Sequence, residues 1–228
     1  MISILVPVYN ESDILEDNIS KLKCFLDEII NDYEIIACSN GSTDDTDKIG
    51  LNLQQKYSDK FRFISIPTKG VGNAFKEMVK ASKYEKLVSI DVDLTTDMNF
   101  IYECITLLDK YDIVIGSKIM GEQKRNILRI AISKTYISLV HILLGLDYVD
   151  YSIGSKGYLK SKIIPYIQNI DYGSSYVVEL VYSVQKENNI IEIPVICDDT
   201  RKSKFNLLNE IFYRFKNILL FFIQSKLK

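Results

Sequence analysis

The stretch Lys86-Leu87-Val88-Ser89-Ile90-Asp91-Val92-Asp93 joins a short apolar run to two carboxylates, and its reading sets the architecture of the chain. A run of this length and composition fits a strand buried on both faces of a parallel sheet. Side chains two apart on an extended segment point the same way, so Asp91 and Asp93 are expected to face one site. In open parallel sheets ligands bind beyond the strand C-termini. Hard divalent cations such as Mg2+ or Mn2+ take one or two carboxylates there, together with phosphate oxygens of a ligand. Asp91 and Asp93 are therefore the candidate metal ligands. Taken alone, the triplet reads equally well as an acidic solvated turn, so its neighbours decide.

Working outward, residues 1–117 alternate short β-branched runs with longer amphipathic stretches, the pattern of βαβ units around a mainly parallel sheet. Strands are expected at Ile2–Pro7, Glu34–Ser39, Phe61–Pro67, Lys86–Ile90 and Asp112–Gly116. In the first helix Ile14, Leu15, Ile19, Leu22, Phe25, Leu26 and Ile29 recur at helical spacing after an N-cap offered by Ser12-Asp13. A second helix is expected over Thr43–Tyr57, a third from a glycine turn at Lys69–Gly72 to about Tyr84, and a fourth from Phe100 to Leu108. Beyond residue 117 the rhythm breaks. A long amphipathic stretch spans 126–146, followed by a turn-rich segment Asp150–Gly157, a helix over Ser175–Asn188, a strand Ile190–Pro194 and an apolar, basic helix from Leu207. No internal repeat or long linker divides the chain, and 228 residues suit one α/β domain with a mixed, mainly parallel sheet.

Composition narrows the partners. Hydrophobic residues make up 47% and charged residues 25%, with four prolines, the profile of an ordered globular chain. A formal net charge of −2 argues against nucleic acid as a partner. That average conceals 12 basic against 20 acidic side chains in residues 1–117, and 16 against 10 in residues 118–228. The last 28 residues hold seven Lys or Arg against one acid, Glu210, which makes the tail a candidate for anionic partners. Cys24, Cys38, Cys104 and Cys197 form no CxxC pair, and the single His141 completes no zinc set, so the thiols read as reduced and structural. Without a basic region followed by a cleavable apolar segment at the N-terminus, a cytoplasmic location is expected.

Two familiar phosphate-binding readings fail. Gly70 and Gly72 precede a helix, but a dinucleotide fingerprint needs a third glycine and a glycine loop after the first strand, and neither is present. The GxxxxGK[ST] pattern of P-loop kinases does not occur.

Other segments join the acidic triplet. The first strand ends Val6-Pro7-Val8-Tyr9-Asn10-Glu11, the second runs into Ser39-Asn40-Gly41-Ser42-Thr43-Asp44-Asp45-Thr46, and Lys69-Gly70-Val71-Gly72-Asn73-Ala74 leads into the third helix. In order and spacing these segments resemble the family 2 glycosyltransferases of GT-A fold. Ile115-Gly116-Ser117-Lys118, Arg129 with Ser133, and Asp150-Tyr151-Ser152-Ile153-Gly154-Ser155-Lys156 are similar to segments of one branch, the dolichyl- and polyprenyl-phosphate sugar synthases. So are Glu192-Ile193-Pro194-Val195 and Arg201-Lys202-Ser203-Lys204. The resemblance spans residues 2–205. It implies a Rossmann-like GT-A domain over 1–205, with a nucleotide-binding half at 1–117, an acceptor half at 118–205 and a C-terminal amphipathic basic helix at 206–228. It also implies a nucleotide diphosphate sugar bound along Pro7, Tyr9, Asn10, Glu11, Ser39, Asn40, Gly70, Asp91 and Lys118. Asp91, Asp93, Arg129, Arg201 and Lys204 would carry the chemistry, with Mg2+ or Mn2+ at the two aspartates. Three positions depart from the pattern: Ser39-Asn40 stands where the family usually has a base-binding Asp, Thr95 replaces a Gln, and Lys118 replaces an Arg.

The basic residues make chemical sense by themselves, because transfer from a nucleotide diphosphate builds negative charge on the leaving phosphate, which a metal and Lys or Arg stabilise. Each also reads as a solvated basic turn. A lipid-phosphate acceptor is already anionic near pH 7 and needs no protein base. A hydroxyl acceptor does, and Asp150 and Glu179 are the candidates, unless both are buried structural acids. Residues 127–146 and 207–227 are interrupted by charges and are not expected to span a bilayer. Their mix of apolar, aromatic and basic residues suits the headgroup region, a dimer face or core packing. The leading expectation is an inverting hexosyltransferase acting on a polyprenyl phosphate at the cytoplasmic membrane surface, or beside a membrane-embedded partner. A saccharide or protein hydroxyl acceptor, a silent nucleotide-sugar-binding subunit and homo-oligomer formation stay open.

Overall fold

In the computed structural model, which describes residues 1–124, 127–187, 189–198 and 207–226, the alternation of the first strand decides two layers at once. Ile2, Ile4, Val6 and Val8 of β1 (Ile2–Val8) face α1 (Leu15–Ile29), where Leu15, Ile19, Leu22 and Leu26 recur at helical spacing. Phe100, Ile101 and Cys104 of α4 (Asn99–Leu107) and Leu53 of α2 (Thr46–Lys56) complete that layer. Leu5 faces the other way, with Ile36 and Cys38 of β2 (Tyr33–Asn40). That second layer holds Phe75, Met78 and Val79 of α3 (Val71–Ala81), Tyr176 to Val184 of α7 (Tyr176–Val184), Tyr136 and Val140 of α5 (Ile127–Leu144) and Ile218 of α8 (Leu207–Lys226). Covered on both faces, every residue of β2 is buried.

The main sheet has seven strands in the order β3-β2-β1-β4-β7-β5-β8, with β3 at Phe61–Ile66, β4 at Lys86–Ser89, β5 at Ile113–Ser117, β7 at Lys156–Leu159 and β8 at Ile190–Pro194. The pairs β1–β2, β2–β3, β1–β4 and β5–β8 are parallel, while β7 runs antiparallel between β4 and β5. A small two-stranded ribbon joins β6 (Gln123–Lys124) to β9 (Cys197–Asp198), and a short helix α6 (Lys160–Ile163) follows β7.

The mixed, mainly parallel sheet agrees with the sequence reading, and three local features correct it. Strand β7 begins inside the segment read as turns and runs past it: Lys156-Gly157-Tyr158-Leu159 carries no β-branched residue, and tertiary pairing on both sides makes it a strand. Ser12-Asp13 does not cap α1. Its N-cap is Ile14, and the Ser12 N–H instead donates to Asp44 Oδ2 at 3.2 Å. Strand β4 stops at Ser89, so Asp91 and Asp93 lie in the turn beyond it and do not alternate along an extended strand.

Candidate active site

A cavity of about 720 Å³ opens at the C-terminal ends of β1, β2 and β4. The order of the sheet explains its place: β1 has β2 on one side and β4 on the other, so the loops after these strands converge. Pro7, Tyr9, Glu11, Asn40, Lys69 and Gly70 line one wall, Asp91, Asp93, Thr95 and Lys118 the next, and Ser152–Gly154 the floor. Side chains of α5, α7 and α8 close the far side.

The turn that carries the two acids is held at every residue. Leu94 N–H donates to the Asp91 carbonyl at 3.1 Å, and Asn18 Nδ2 donates to the Val92 carbonyl at 3.0 Å. Leu94 adopts φ 50°, a region that branched side chains avoid and that the surrounding bonds impose. Asp93 Oδ1 accepts from the Thr95 N–H at 3.2 Å and the Thr95 hydroxyl at 3.0 Å, so Thr95 serves as the clasp of this turn. Asp91 Oδ2 accepts from the Gly154 N–H at 3.0 Å. A Cβ on Gly154 would lie 2.3 Å from Asp91 Oδ1, so only glycine brings its N–H to this carboxylate.

Burial first, and the neighbouring Asp93 charge second, push the Asp91 carboxyl above the usual carboxylate range. Two like charges brought together in a desolvated wall are balanced by a divalent cation, and their oxygen donors match Mg2+ or Mn2+. The pair fits such an ion.

Beneath it lies a second charged group. Lys118 Nζ donates to Ser152 Oγ at 2.7 Å and sits 3.5 Å from Asp150 Oδ2. Burial pushes the Asp150 carboxyl up, but Lys118 and Lys156 outweigh it and hold it below its ordinary value. Lys156 is fully buried, donates to the Ile153 carbonyl, and is pushed by desolvation down to about 8 against the pull of Asp150 and Asp91. These lysines brace the floor under Asp91, and Lys118 also reaches the cavity wall.

On the opposite edge Asn40 ties three loops together: its Nδ2 donates to the Val8 carbonyl at 2.7 Å and its Oδ1 accepts from the Gly70 N–H at 3.2 Å. Lys69 Nζ lies 3.9 Å from the centre of the Tyr9 ring. Ser39 and Asn10 are outside the lining. The Ser39 hydroxyl donates to Ser42 Oγ at 2.9 Å, and Asn10 Oδ1 accepts from the Thr43 N–H at 2.7 Å, so both brace the loops from behind. Asp44 joins this bracing: partial burial pushes its carboxyl up, but bonds from Thr46 and Ser12 prevail and hold it at about 2. The N-terminus of α3 is taken by protein, because the Asn73 N–H donates to the Tyr172 carbonyl at 3.1 Å and a Cβ at Gly72 would meet the Asp171 carbonyl oxygen at 2.2 Å.

Of the candidate residues, Pro7, Tyr9, Glu11, Asn40, Gly70, Asp91, Asp93 and Lys118 meet in the cavity. Ser133 lines it from α5. Arg129 belongs to the first turn of the same helix, and its side chain, like Arg201 and Lys204, lies outside the described residues. Asp150 and Glu179 are away from the lining. Glu179 Oε2 accepts from the Asp171 N–H at 2.7 Å and its carboxyl is pushed by burial up to about 7. Asn209, Glu210, Ile211, Tyr213, Arg214 and Phe215 of α8 contribute lining that the sequence reading passed over. The only signal was their place in the basic tail, because α8 reaches the site by packing on α5. Among the described residues no helix is long and apolar enough to cross a membrane.

Comparison with known proteins agrees with this geometry. The family model described as glycosyl transferase family 2 matches residues 3–164. Glycosyltransferase AglD of Haloferax volcanii is 26% identical over 221 residues, covering 92% of this chain and 35% of that protein. Dolichyl-phosphate beta-glucosyltransferase of Mus musculus is 34% identical over 109 residues, covering 42% of this chain and 32% of that protein. The chain thus spans about a third of the length of these curated relatives. Glucosyl-3-phosphoglycerate synthase of Mycobacterium tuberculosis, solved with phosphoglyceric acid, superposes with a TM-score of 0.71 at 16% identity, over 98% of this chain and 79% of its own. The same enzyme has been solved with Mn2+ and uridine-diphosphate-glucose. The fold is GT-A-like, and with the family model covering well over half its length the chain belongs to glycosyl transferase family 2.

Proposed function

We propose that the protein is an inverting, metal-dependent transferase that moves a hexose from a nucleotide diphosphate sugar to the phosphate of a polyprenyl phosphate. One observation carries the reading: a single cavity has the Asp91/Asp93 pair at one end and, at the other, an apolar wall of Ile132, Ile137, Ile211 and Phe215 from α5 and α8. A charged donor and an amphiphilic acceptor suit those two ends. The dolichyl-phosphate relative and the neighbour solved with Mn2+ and a UDP-sugar support it.

In this reading an acceptor phosphate oxygen attacks the anomeric carbon from the face opposite the leaving group. The new C–O bond forms as the bond from that carbon to the β-phosphate oxygen breaks, and the nucleoside diphosphate departs with the electron pair. A phosphomonoester is largely ionised near pH 7, so no proton has to be removed. Asp91 and Asp93 would hold Mg2+ or Mn2+, which neutralises charge on the departing diphosphate. The Gly154 N–H keeps Asp91 aimed, Asn40 sets the spacing of the nucleotide-side loops, and Lys118 adds positive charge to the wall. Arg129, Arg201 and Lys204 are proposed as further phosphate contacts. Residues 1–117 would form the donor half, 118–205 the acceptor half and 206–228 an amphipathic basic helix. Phe212, Lys216, Leu219, Leu220, Ile223 and Lys226 are exposed along α8, an apolar and basic stripe suited to the headgroups of an anionic cytoplasmic membrane face.

The test is incubation with Mg2+ or Mn2+, a panel of GDP- and UDP-sugars and a short-chain polyprenyl phosphate. Sugar is expected on the lipid, with Asp93→Asn lowering the rate about 100-fold or more. Full metal-dependent activity in that variant would overturn the metal assignment, and transfer to saccharides alone would overturn the acceptor.

A further inference from the structure

The apolar end of the cavity contains one charged pair that the donor chemistry leaves unused. Glu210 and Arg214 sit one turn apart on α8, and Arg214 Nε donates to Glu210 Oε1 at 2.8 Å and to Ser174 Oγ at 3.2 Å. Both side chains are half-buried and line the cavity among Ile132, Ile137 and Phe215. Tyr213, the preceding residue, anchors this part of the helix: its hydroxyl bonds the Asp171 carboxylate at 2.7 and 2.9 Å. Tyr136 and Phe215 meet with ring centres 5.6 Å apart, tying α5 to α8 behind the pair. The guanidinium is within electrostatic reach of Tyr136 and Tyr176, and Tyr176 is within reach of Asp91. Arg214 and the acidic turn thus line one cavity, with Tyr176 in electrostatic reach of both.

A guanidinium in apolar surroundings is held by a carboxylate until an anion with more charge and more acceptor oxygens arrives. Among the described residues both contacts of Arg214 run through Nε, and the two Nη groups can meet two phosphate oxygens in one plane. Displaced Glu210 is near the helix N-terminus, where a carboxylate is tolerated.

We propose that Arg214 is the acceptor-recognition residue of this site: it exchanges Glu210 for the phosphomonoester of the acceptor and seats that group beside the apolar wall, facing the Asp91/Asp93 pair. The inference rests on the reading that the acceptor carries a phosphate. The same chemistry is offered by a lipid phosphate and by a small phosphorylated acceptor, and the apolar residues flanking Arg214 favour the lipid.

The experiment titrates the full chain, in the presence of Mn2+ and a UDP-sugar, with farnesyl phosphate, glycerol 3-phosphate and farnesol. Acceptor KM and kcat are measured separately from donor affinity. Arg214→Gln is expected to raise the KM for farnesyl phosphate about 10- to 100-fold, with donor affinity unchanged. Arg214→Lys falls between, because it keeps the charge and loses the fork, and Glu210→Gln lowers the KM by removing the competitor. A stronger dependence on Arg214 with farnesyl phosphate than with glycerol 3-phosphate identifies the lipid, and the reverse identifies the small acceptor. An unchanged acceptor KM in Arg214→Lys and Glu210→Gln overturns the inference even where Arg214→Gln fails to fold, and so does an equal loss of donor affinity. Transfer to farnesol alone would instead overturn the phosphate reading itself.

Discussion

Replacing Gly154 by alanine tests the acidic turn with a single methyl group. The added Cβ would stand 2.3 Å from Asp91 Oδ1 and 2.7 Å from Oδ2, while ordinary contact begins near 3.4 Å. The carboxylate must therefore retreat by about 1 Å, and a displacement of that size at a reacting centre costs roughly 100-fold in rate. Retreat also breaks or stretches the 3.0 Å bond from the Gly154 N–H to Oδ2, a charged hydrogen bond worth about 1.5–3 kcal/mol. Gly154 has no positive φ, so alanine suits its backbone, and the penalty falls on the carboxylate rather than on the loop. The expected result is a protein that folds, with thermal stability lowered by an amount of that order, and with a metal-dependent turnover reduced about 100-fold. Metal titration followed through donor turnover, alongside thermal unfolding, separates the two effects. Wild-type metal affinity and rate in Gly154→Ala would refute the placement of Asp91 as an aimed ligand.

Two further substitutions probe residues away from the reacting centre. The Glu179 carboxyl sits near 7 in the folded protein against an ordinary 4.5, so the native state holds its proton more tightly and stability declines as pH rises from about 4.5 to 7. Glu179→Gln should flatten urea-measured stability over that window, where Glu179 accounts for on the order of 2–3 kcal/mol, and leave sugar transfer intact. Loss of transfer in a folded variant would instead assign Glu179 the base role. Phe75 is 1% exposed, with the rings of Tyr158 and Tyr176 centred 5.3 and 4.9 Å away. Phe75→Ala should cost about 3–5 kcal/mol in urea unfolding, and a cost below about 1 kcal/mol would contradict the packing of the α3–α7 layer.

The alternation of apolar residues in β1 and the helical spacing in α1 made the layers legible, because each element records in its own period which faces it buries. The clustering of Pro7, Val8, Tyr9, Glu11, Asn40, Gly70 and Asp91–Asp93 was legible too, since all lie at or beyond the C-terminal ends of strands of one sheet. Hidden were features set by distant partners. Lys156-Gly157-Tyr158-Leu159 is a strand because β4 and β5 flank it, and Asn10 turns away from the cavity because its N–H and side chain bond Ser42 and Thr43 of the loop after β2. Glu179, a candidate base by residue type, is claimed by the Asp171 backbone.

From its sequence alone the chain determined its α/β class, the loops that line its cavity and its acidic pair, all carried by local patterns of about ten residues. Only the tertiary structure decided that Asp91 is aimed by the Gly154 N–H, 63 residues away along the chain, and that α8 brings Arg214 into the same cavity. The physical reason is shared. A carboxylate's direction and a helix's cavity-facing side are set by whichever groups pack against them, and no period within the chain encodes a partner that distant.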